Sequence, residues 1–234
     1  SFSNSTIVYN TANRGAGIAG SGWLPLVDLQ NSILAKNNAS LGGPDCTVES
    51  VEGVSIFSGG HNILGDSTEC SFESSGGDQV GTAISPIDPL IGPLADNGGA
   101  TRTHALLAGS PAIDAGSPDA PGSTDGACEP ADQRGMQRPL DGDGNGVGLC
   151  DIGAFERARL ALIDIRPRTD WNVVNLVEPR LIPVAILGSK TFDVANVDVS
   201  TLAFGPGGAP PLAVRTKHRA SRLSRRDLNR DGNQ

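Results

Sequence analysis

Asn4-Ser-Thr-Ile-Val-Tyr-Asn10 returns 27 residues later as Asn31-Ser-Ile-Leu-Ala-Lys-Asn37, and the frame shared by the two copies, N-S-x-x-x-x-N, decides the fold. Between the copies lie Gly15-Ala-Gly-Ile-Ala-Gly20 and the run from Leu24 to Leu29, short strand-like pieces set apart by turns. A degenerate third copy follows at Gly60-His-Asn-Ile-Leu-Gly65. Short strands recurring at a fixed period are the pattern of successive rungs of a parallel β-helix. Stacking places one Asn amide above another, and an amide both donates and accepts along such a column. Ile7, Ile33, Leu34, Ile63 and Leu64 are then expected to fill the interior. A β-sandwich with coincidental Asn-Ser repeats is the competing reading.

A coil cannot bury its apolar face alone, so a stack needs a cover where it ends. The stretch Asp96 to Glu156 is expected to supply it. Gly and Pro recur there every few residues, no helical period survives for more than a turn, and the apolar residues come in short groups such as Leu106-Leu107, Ala112-Ile113 and Ile152. Those features predict compact loop-and-strand structure that closes the stack. Within it Asp132, Arg134 and Arg138 are expected to work together. A planar guanidinium makes several fixed hydrogen bonds to carbonyls and carboxylates where no sheet ladder satisfies the backbone. Asp114, in Ile-Asp-Ala-Gly, reads as a turn-forming side chain.

Composition agrees with an all-β chain. Among 234 residues there are 31 Gly and 16 Pro but only 4% aromatics, a balance suited to a turn-dense repeat rather than to a helical bundle. Charge is divided unevenly. Up to Glu156 there are 19 acidic and 5 basic residues, net -14, whereas Arg157 to Gln234 carries 13 basic and 7 acidic, net +6. An acidic body argues against nucleic acid as a partner. No run approaches the roughly 20 apolar residues of a membrane span. The chain opens SFSNSTIVYN, without Met and inside a strand-like segment, which is read as the start of a fragment with its targeting segment and further repeats upstream.

The four cysteines fall in two loop pairs, and none forms a C-x-x-C knuckle. Four cysteines allow three pairings. Nearest-neighbour pairing, Cys46 with Cys70 and Cys128 with Cys150, closes two loops of similar size and is the one expected; buried free thiols are the alternative. Disulfides would imply an oxidising, extracytoplasmic setting.

The run NSILAKN, DC, GGHNILGD, C, then DPLIGPLADNGGATRTHALLAGSPAIDAG, DQRGMQRP and CDIGAFE, resembles the C-terminal part of bacterial surface proteins with right-handed parallel β-helix repeats, the choice-of-anchor Q type. The likeness covers residues 1 to 156 and implies a secreted or surface-exposed β-helix followed by an anchoring or sorting module. It implies no agreed activity. Residues 157 to 234 carry period-2 pieces with Pro and Gly breaks, at Ile163-Asp-Ile, Leu181 to Leu187, Thr191 to Val194, Val197-Asp-Val and Leu202 to Gly205, which predict a small antiparallel β module. That part is similar to an accessory sandwich-like module of secreted bacterial proteins, in which a DxNxDG loop follows the strands. The basic stretch Arg215 to Arg230 departs from the pattern, and the module is expected to be incomplete at Gln234.

Acidic spacing is the sharpest chemical signal. Asp141-Gly-Asp-Gly-Asn-Gly matches the start of a calcium loop, with Asp141, Asp143 and Asn145 as oxygen ligands and Gly146 at the turn. Its twelfth position is Ile152, so Asp151 next door would have to substitute. Asp227, Asn229 and Asp231 match the same frame, with Gly232 at the turn, but that loop stops at its eighth position. Ca²⁺ suits such clusters because it takes six to eight hard oxygens in flexible geometry. A solvated turn is the plain alternative.

Catalysis is the rival function. Parallel β-helices host polysaccharide lyases and glycoside hydrolases, and a hydrolase needs two carboxylates about 5–10 Å apart. Lys36, Asp28 and Asp66 lie on rungs without forming a repeated acidic column, and His61 and His104 stand alone, with structural hydrogen bonding their expected role. A sugar-binding patch, the alternative role for Asp132, Arg134 and Arg138, would want aromatic faces to stack on, yet the chain has only Trp23, Trp171, Tyr9 and six Phe. The basic stretch Arg215 to Arg230 is expected as a solvated or disordered terminus, with contact to an anionic polymer the alternative. Together these features favour a non-catalytic extracellular scaffold for adhesion or glycan contact, over a carbohydrate-active enzyme whose catalytic rungs lie upstream.

Overall fold

The structure, a computed structural model, describes residues 1–22, 27–50, 56–159, 162–165 and 182–188, together with Val194, Val197 and Leu202. Contacts divide the chain into two compact units, Ser1–Arg159 and Leu160–Gln234. The fold is all-β, and no α-helix occurs among the described residues. None of the described residues forms a helix long and apolar enough to cross a membrane.

The first unit begins with four turns of stacked chain. The first turn carries β1 (Phe2–Ser3), β2 (Thr6–Val8), β3 (Thr11–Ala12) and β4 (Ile18–Gly22). The second carries β5 (Val27–Gln30), β6 (Ile33–Ala35), β7 (Asn38–Ala39) and β8 (Cys46–Ser50), each parallel to its counterpart one turn earlier. In the third turn β9 (Ile56–Gly60) and β10 (Ile63–Leu64) extend two of these sheets, and in the fourth β11 (Phe72–Glu73) and β12 (Gln79–Val80) complete them. Two four-stranded parallel sheets result, in the orders β1-β5-β9-β11 and β12-β10-β6-β2. In-register pairing at the sequence repeat, Thr6 with Ile33 and Ile33 with Ile63, is what the shared Asn-Ser frame encodes.

Strands this short end because the chain turns sharply at corners. Asn4, Asn31 and His61 occupy the same corner of successive turns with φ of 44°, 46° and 56°, and Tyr9 and Lys36 share another at 58° and 57°. Asn tolerates this left-handed region better than most residues, since its short amide bonds locally. The expected amide column forms at one of its two positions. Asn10 Nδ2 donates to Asn37 Oδ1 at 2.9 Å. At the other corner the amides turn outward: Asn31 Oδ1 accepts from Ser117 N at 2.8 Å, and Asn4 Oδ1 accepts from Glu129 N at 2.7 Å.

Neighbouring residues on a strand face opposite sides of a sheet, and both sides of the second sheet are buried. Leu34 and Leu64 point inward to join Leu29, Ile56, Ile18 and Cys46, with Ile7 packed against them. Ile33 and Ile63, expected inside, point outward instead. There they meet Ile91, Leu106, Ala112, Ile152 and Phe155 of the downstream stretch. That stretch therefore packs as a second layer along the flank of the stack, where it was expected as a lid across its end. The antiparallel pair β13 (Ile91–Ala95) and β14 (Thr103–Leu106) belongs to this layer. Close approach requires Gly153 at φ 98°, where a Cβ would stand 2.8 Å from Thr6 Oγ1 and 2.9 Å from Ile33 Cδ1.

Two disulfides fasten the unit. Cys46–Cys70 joins β8 to the loop before β11, and Cys128–Cys150 ties two loops of the flank layer, with Cα separations of 5.2 and 6.5 Å. Both are the pairings expected from the spacing. In the second unit β15 (Leu162–Ile165) and β16 (Val184–Leu187) pair antiparallel, Ile163 opposite Ile186. The strands expected at Thr191 to Val194, at Val197-Asp-Val and at Leu202 to Gly205 lie mostly outside the described residues, as does the whole Arg215 to Arg230 stretch.

Candidate functional site

The flank layer lacks a long ladder, so its backbone must be satisfied some other way. Charged side chains do this. Asp132 Oδ1 accepts the N–H groups of Arg134 and Met136 at 2.8 and 3.0 Å, and Asp132 Oδ2 accepts Glu156 N at 2.9 Å. Arg134 closes on the same carboxylate at 2.7 Å, lies over the Phe155 ring 3.6 Å from its centre, and donates to the Glu156 carbonyl. Arg138, its side chain fully buried, donates to the carbonyls of Asp151 and Gly153, both at 2.7 Å, and pairs with Glu156 at 3.2 Å. Glu156 Oε1 and Oε2 in turn take Leu140 N and Asp151 N at 2.7 and 2.9 Å. Asp132, Arg134 and Arg138 thus do work together as expected, through two further buried acids.

Burial sets the protonation of this network. It pushes the Asp132 carboxyl up, but the N–H groups of Glu156, Met136 and Arg134 and the Arg134 guanidinium outweigh that effect and hold it below the ordinary range. Asp151 is pushed up to about 7 by burial and then by the Glu156 charge. Glu156 is also raised by burial, and Arg138 is lowered by it. One buried guanidinium beside two raised carboxylates leaves room for a proton.

A second cluster lies beside the first. The carboxylates of Asp114, Asp141 and Asp143 converge, with one oxygen of each within 4.8 Å of the others. Asp114, at φ 51°, is the hub: it accepts Gly142 N at 3.3 Å, Asp143 N at 2.8 Å and Leu149 N at 3.3 Å. Asp141 folds the loop back on itself by accepting Gly144 N and Gly146 N. Arg157 borders the cluster, its guanidinium donating to the Gly142 carbonyl, and the Arg159 guanidinium fills the space that a Cβ on Gly144 would need.

Of the sequence-predicted ligands, Asp141 and Asp143 are brought together. Asn145 lies beside them, with Nδ2 donating to Asp143 Oδ2 at 3.0 Å and Oδ1 accepting Val147 N at 2.7 Å. Asp151 does not join: its buried carboxylate accepts Asp114 N at 2.7 Å and Arg157 N. Asp227, Asn229 and Asp231 lie outside the described residues. Asp114 takes the place offered to Asp151, and no spacing rule connects it to a loop that begins at Asp141. Glu156 carried no signal in the sequence either. A cation is chemically suited to the trio, because each carboxylate oxygen that accepts one N–H keeps a further lone pair.

The histidines are positioned by carbonyls. His61 Nδ1 lies 3.0 Å from Ala115 O, and His104 Nδ1 lies 2.8 Å from Gly92 O. A carbonyl only accepts, so Nδ1 carries the hydrogen in both rings, and in the neutral ring Nε2 is an acceptor. Lys36 is paired with Asp88 at 2.9 Å. The two disulfides point to an oxidising, extracytoplasmic setting. Comparison of the chain with protein-family models, curated proteins and solved structures gave no match.

Proposed function

We propose that the protein is a non-catalytic scaffold, secreted or displayed on the cell surface, that contributes to adhesion or contacts polysaccharide, in the manner of the choice-of-anchor Q proteins it resembles. The observation that carries this reading is how the ionic side chains of the flank layer are used. Asp132, Arg134, Arg138, Asp151 and Glu156 all bond main-chain groups, so the layer richest in charge serves to fix a shape. A rigid stack fastened by disulfides suits presentation of loops outside the cell. In this reading Asp114, Asp141 and Asp143, with Asn145 adjacent, would hold a Ca²⁺ that tightens the Asp141 loop.

One observation favours the carbohydrate-active alternative. A cleft of about 670 Å³ borders the first sheet, and Asp28, Asp125 and Glu129 line it together with Phe57. Polysaccharide pull-down combined with a reducing-end assay separates the two. The scaffold reading expects retention of the protein on a polysaccharide without release of new chain ends. Chain cleavage abolished by Asp125→Asn or Glu129→Gln would overturn it in favour of the enzyme.

A further inference from the structure

Seven basic residues stand between Ser1 and Arg159, and six of them are engaged. Arg14 faces Glu69 at 3.8 Å, Lys36 faces Asp88, Arg134 and Arg138 sit in the buried network, Arg157 holds the Gly142 carbonyl, and Arg159 is engaged as well. Arg102 alone makes no ion pair and no side-chain hydrogen bond among the described residues. An exposed arginine is ordinary by itself. Its surroundings are not.

Arg102 lines a cleft of about 310 Å³ between β2 and the hairpin β13–β14, with His104, Asn10, Gln133 and Leu94. Every polar neighbour has an acceptor to spare among the described residues. His104 spends Nδ1 on Gly92 O, which leaves Nε2 of the neutral ring as an acceptor. Asn10 spends its Nδ2 on Asn37, and Gln133 spends its Nε2 on Thr101 Oγ1, so the amide oxygen of each remains. Tyr9, 53% exposed, sets its ring 5.4 Å from that of His104.

These groups specify a ligand. A free guanidinium fork recognises a carboxylate, surplus acceptors recognise hydroxyls, and an exposed aromatic face beside them suits a sugar ring. The acidic excess of the unit repels an extended polyanion, which restricts the ligand to one that carries a single carboxylate. We propose that the Arg102 cleft binds a terminal sugar bearing one carboxylate, a uronic or sialic acid at the end of an otherwise neutral glycan. The inference rests on the glycan-contact reading above and names the sugar class that this surface takes.

Calorimetric titration of the full chain with methyl glucuronide, sialyllactose and lactose tests it, and the first two probes distinguish the two acid sugars. Binding of at least one acidic probe is expected, weakened about tenfold or more by Arg102→Gln and unchanged by Arg14→Gln, while lactose does not bind. Equal affinity of Arg102→Gln and the unaltered protein, or lactose binding as well as the acidic probes, overturns the proposal. Binding of neutral polysaccharides but of neither acidic probe also overturns it, and leaves the scaffold reading standing. Failure to bind any glycan removes both.

Discussion

The rung stack and the flank layer lie on opposite sides of the same sheet, yet they are held by different physics. In the stack each turn repeats the one before, parallel ladders satisfy the main chain, and Leu29, Leu34, Ile56 and Leu64 fill the interior. The flank layer has one short hairpin and scattered main-chain bonds, and Arg134, Arg138, Asp132, Asp151 and Glu156 tie down much of the rest of its backbone. Ile33 and Ile63 are where the two meet. A periodic sequence distributes its stability over many equivalent contacts, whereas an irregular one concentrates it in a few groups that must all be paired.

The contrast breaks first at Arg138. Replacing it with Met removes the cation that pairs with the Glu156 carboxylate among the described residues and leaves that buried acid uncompensated, which costs about 3–5 kcal/mol. Glu156→Gln in the same chain is expected to recover part of that loss, giving a strong coupling in a double-mutant cycle read by chemical denaturation. Leu34→Ala costs a similar amount, about 2–5 kcal/mol, through a cavity, but shows no coupling to Glu156→Gln. Coupling of equal size for both residues would show that the two layers are held alike.

A smaller effect is expected from pH. Asp151 and Glu156 titrate above their ordinary values in the folded protein, so folding takes up protons. The Asp151 contribution is fully present below about pH 4 and is lost as pH rises through about 7; the Glu156 contribution, raised by burial, is lost in the same direction. Asp132, held low, acts in the opposite sense, and its contribution is lost as pH falls below the ordinary carboxylate range. Between pH 5 and pH 8 stability should therefore fall, by roughly 2 kcal/mol. Asp151→Asn should flatten that slope, and a slope unaltered in the variant would remove Asp151 as its source.

The smallest effect concerns the Asp114–Asp141–Asp143 trio. Calcium in excess is expected to raise the melting temperature by a few degrees over the same protein in EDTA, about what a kcal/mol or so of binding free energy supplies. Asp143→Asn should remove that difference. Identical transitions in Ca²⁺ and EDTA would leave the loop as a hydrogen-bonded turn.

Much of the stack was legible because periodicity is written in the sequence: N-S-x-x-x-x-N gave the register, and the Cys spacing gave both disulfide pairs. Which face Ile33 and Ile63 take was not legible. A strand buried on both sides reads as a continuous apolar run, so alternation gives no sign of inside or outside. That ambiguity turned an expected end lid into a lateral layer. Asp132, Arg134 and Arg138 stood out as a cluster of unlike charges, but Glu156 did not, and Asp114 read only as a turn former, because its carboxylate acts on Gly142, Asp143 and Leu149 far along the chain and no local spacing announces that. The Asp141 loop carried its own short motif, and its third acid came from elsewhere.

Amide hydrogen exchange on Arg138→Met, compared with the unaltered protein at one pH, tests the central claim most directly. The account predicts that Leu140, Asp151, Gly153 and Glu156 lose protection while the ladder amides of Ile33, Ile63 and Gly65, bonded to Ser5, Ser32 and Leu34, keep theirs. Equal loss across both sets, or none in the first, would contradict it.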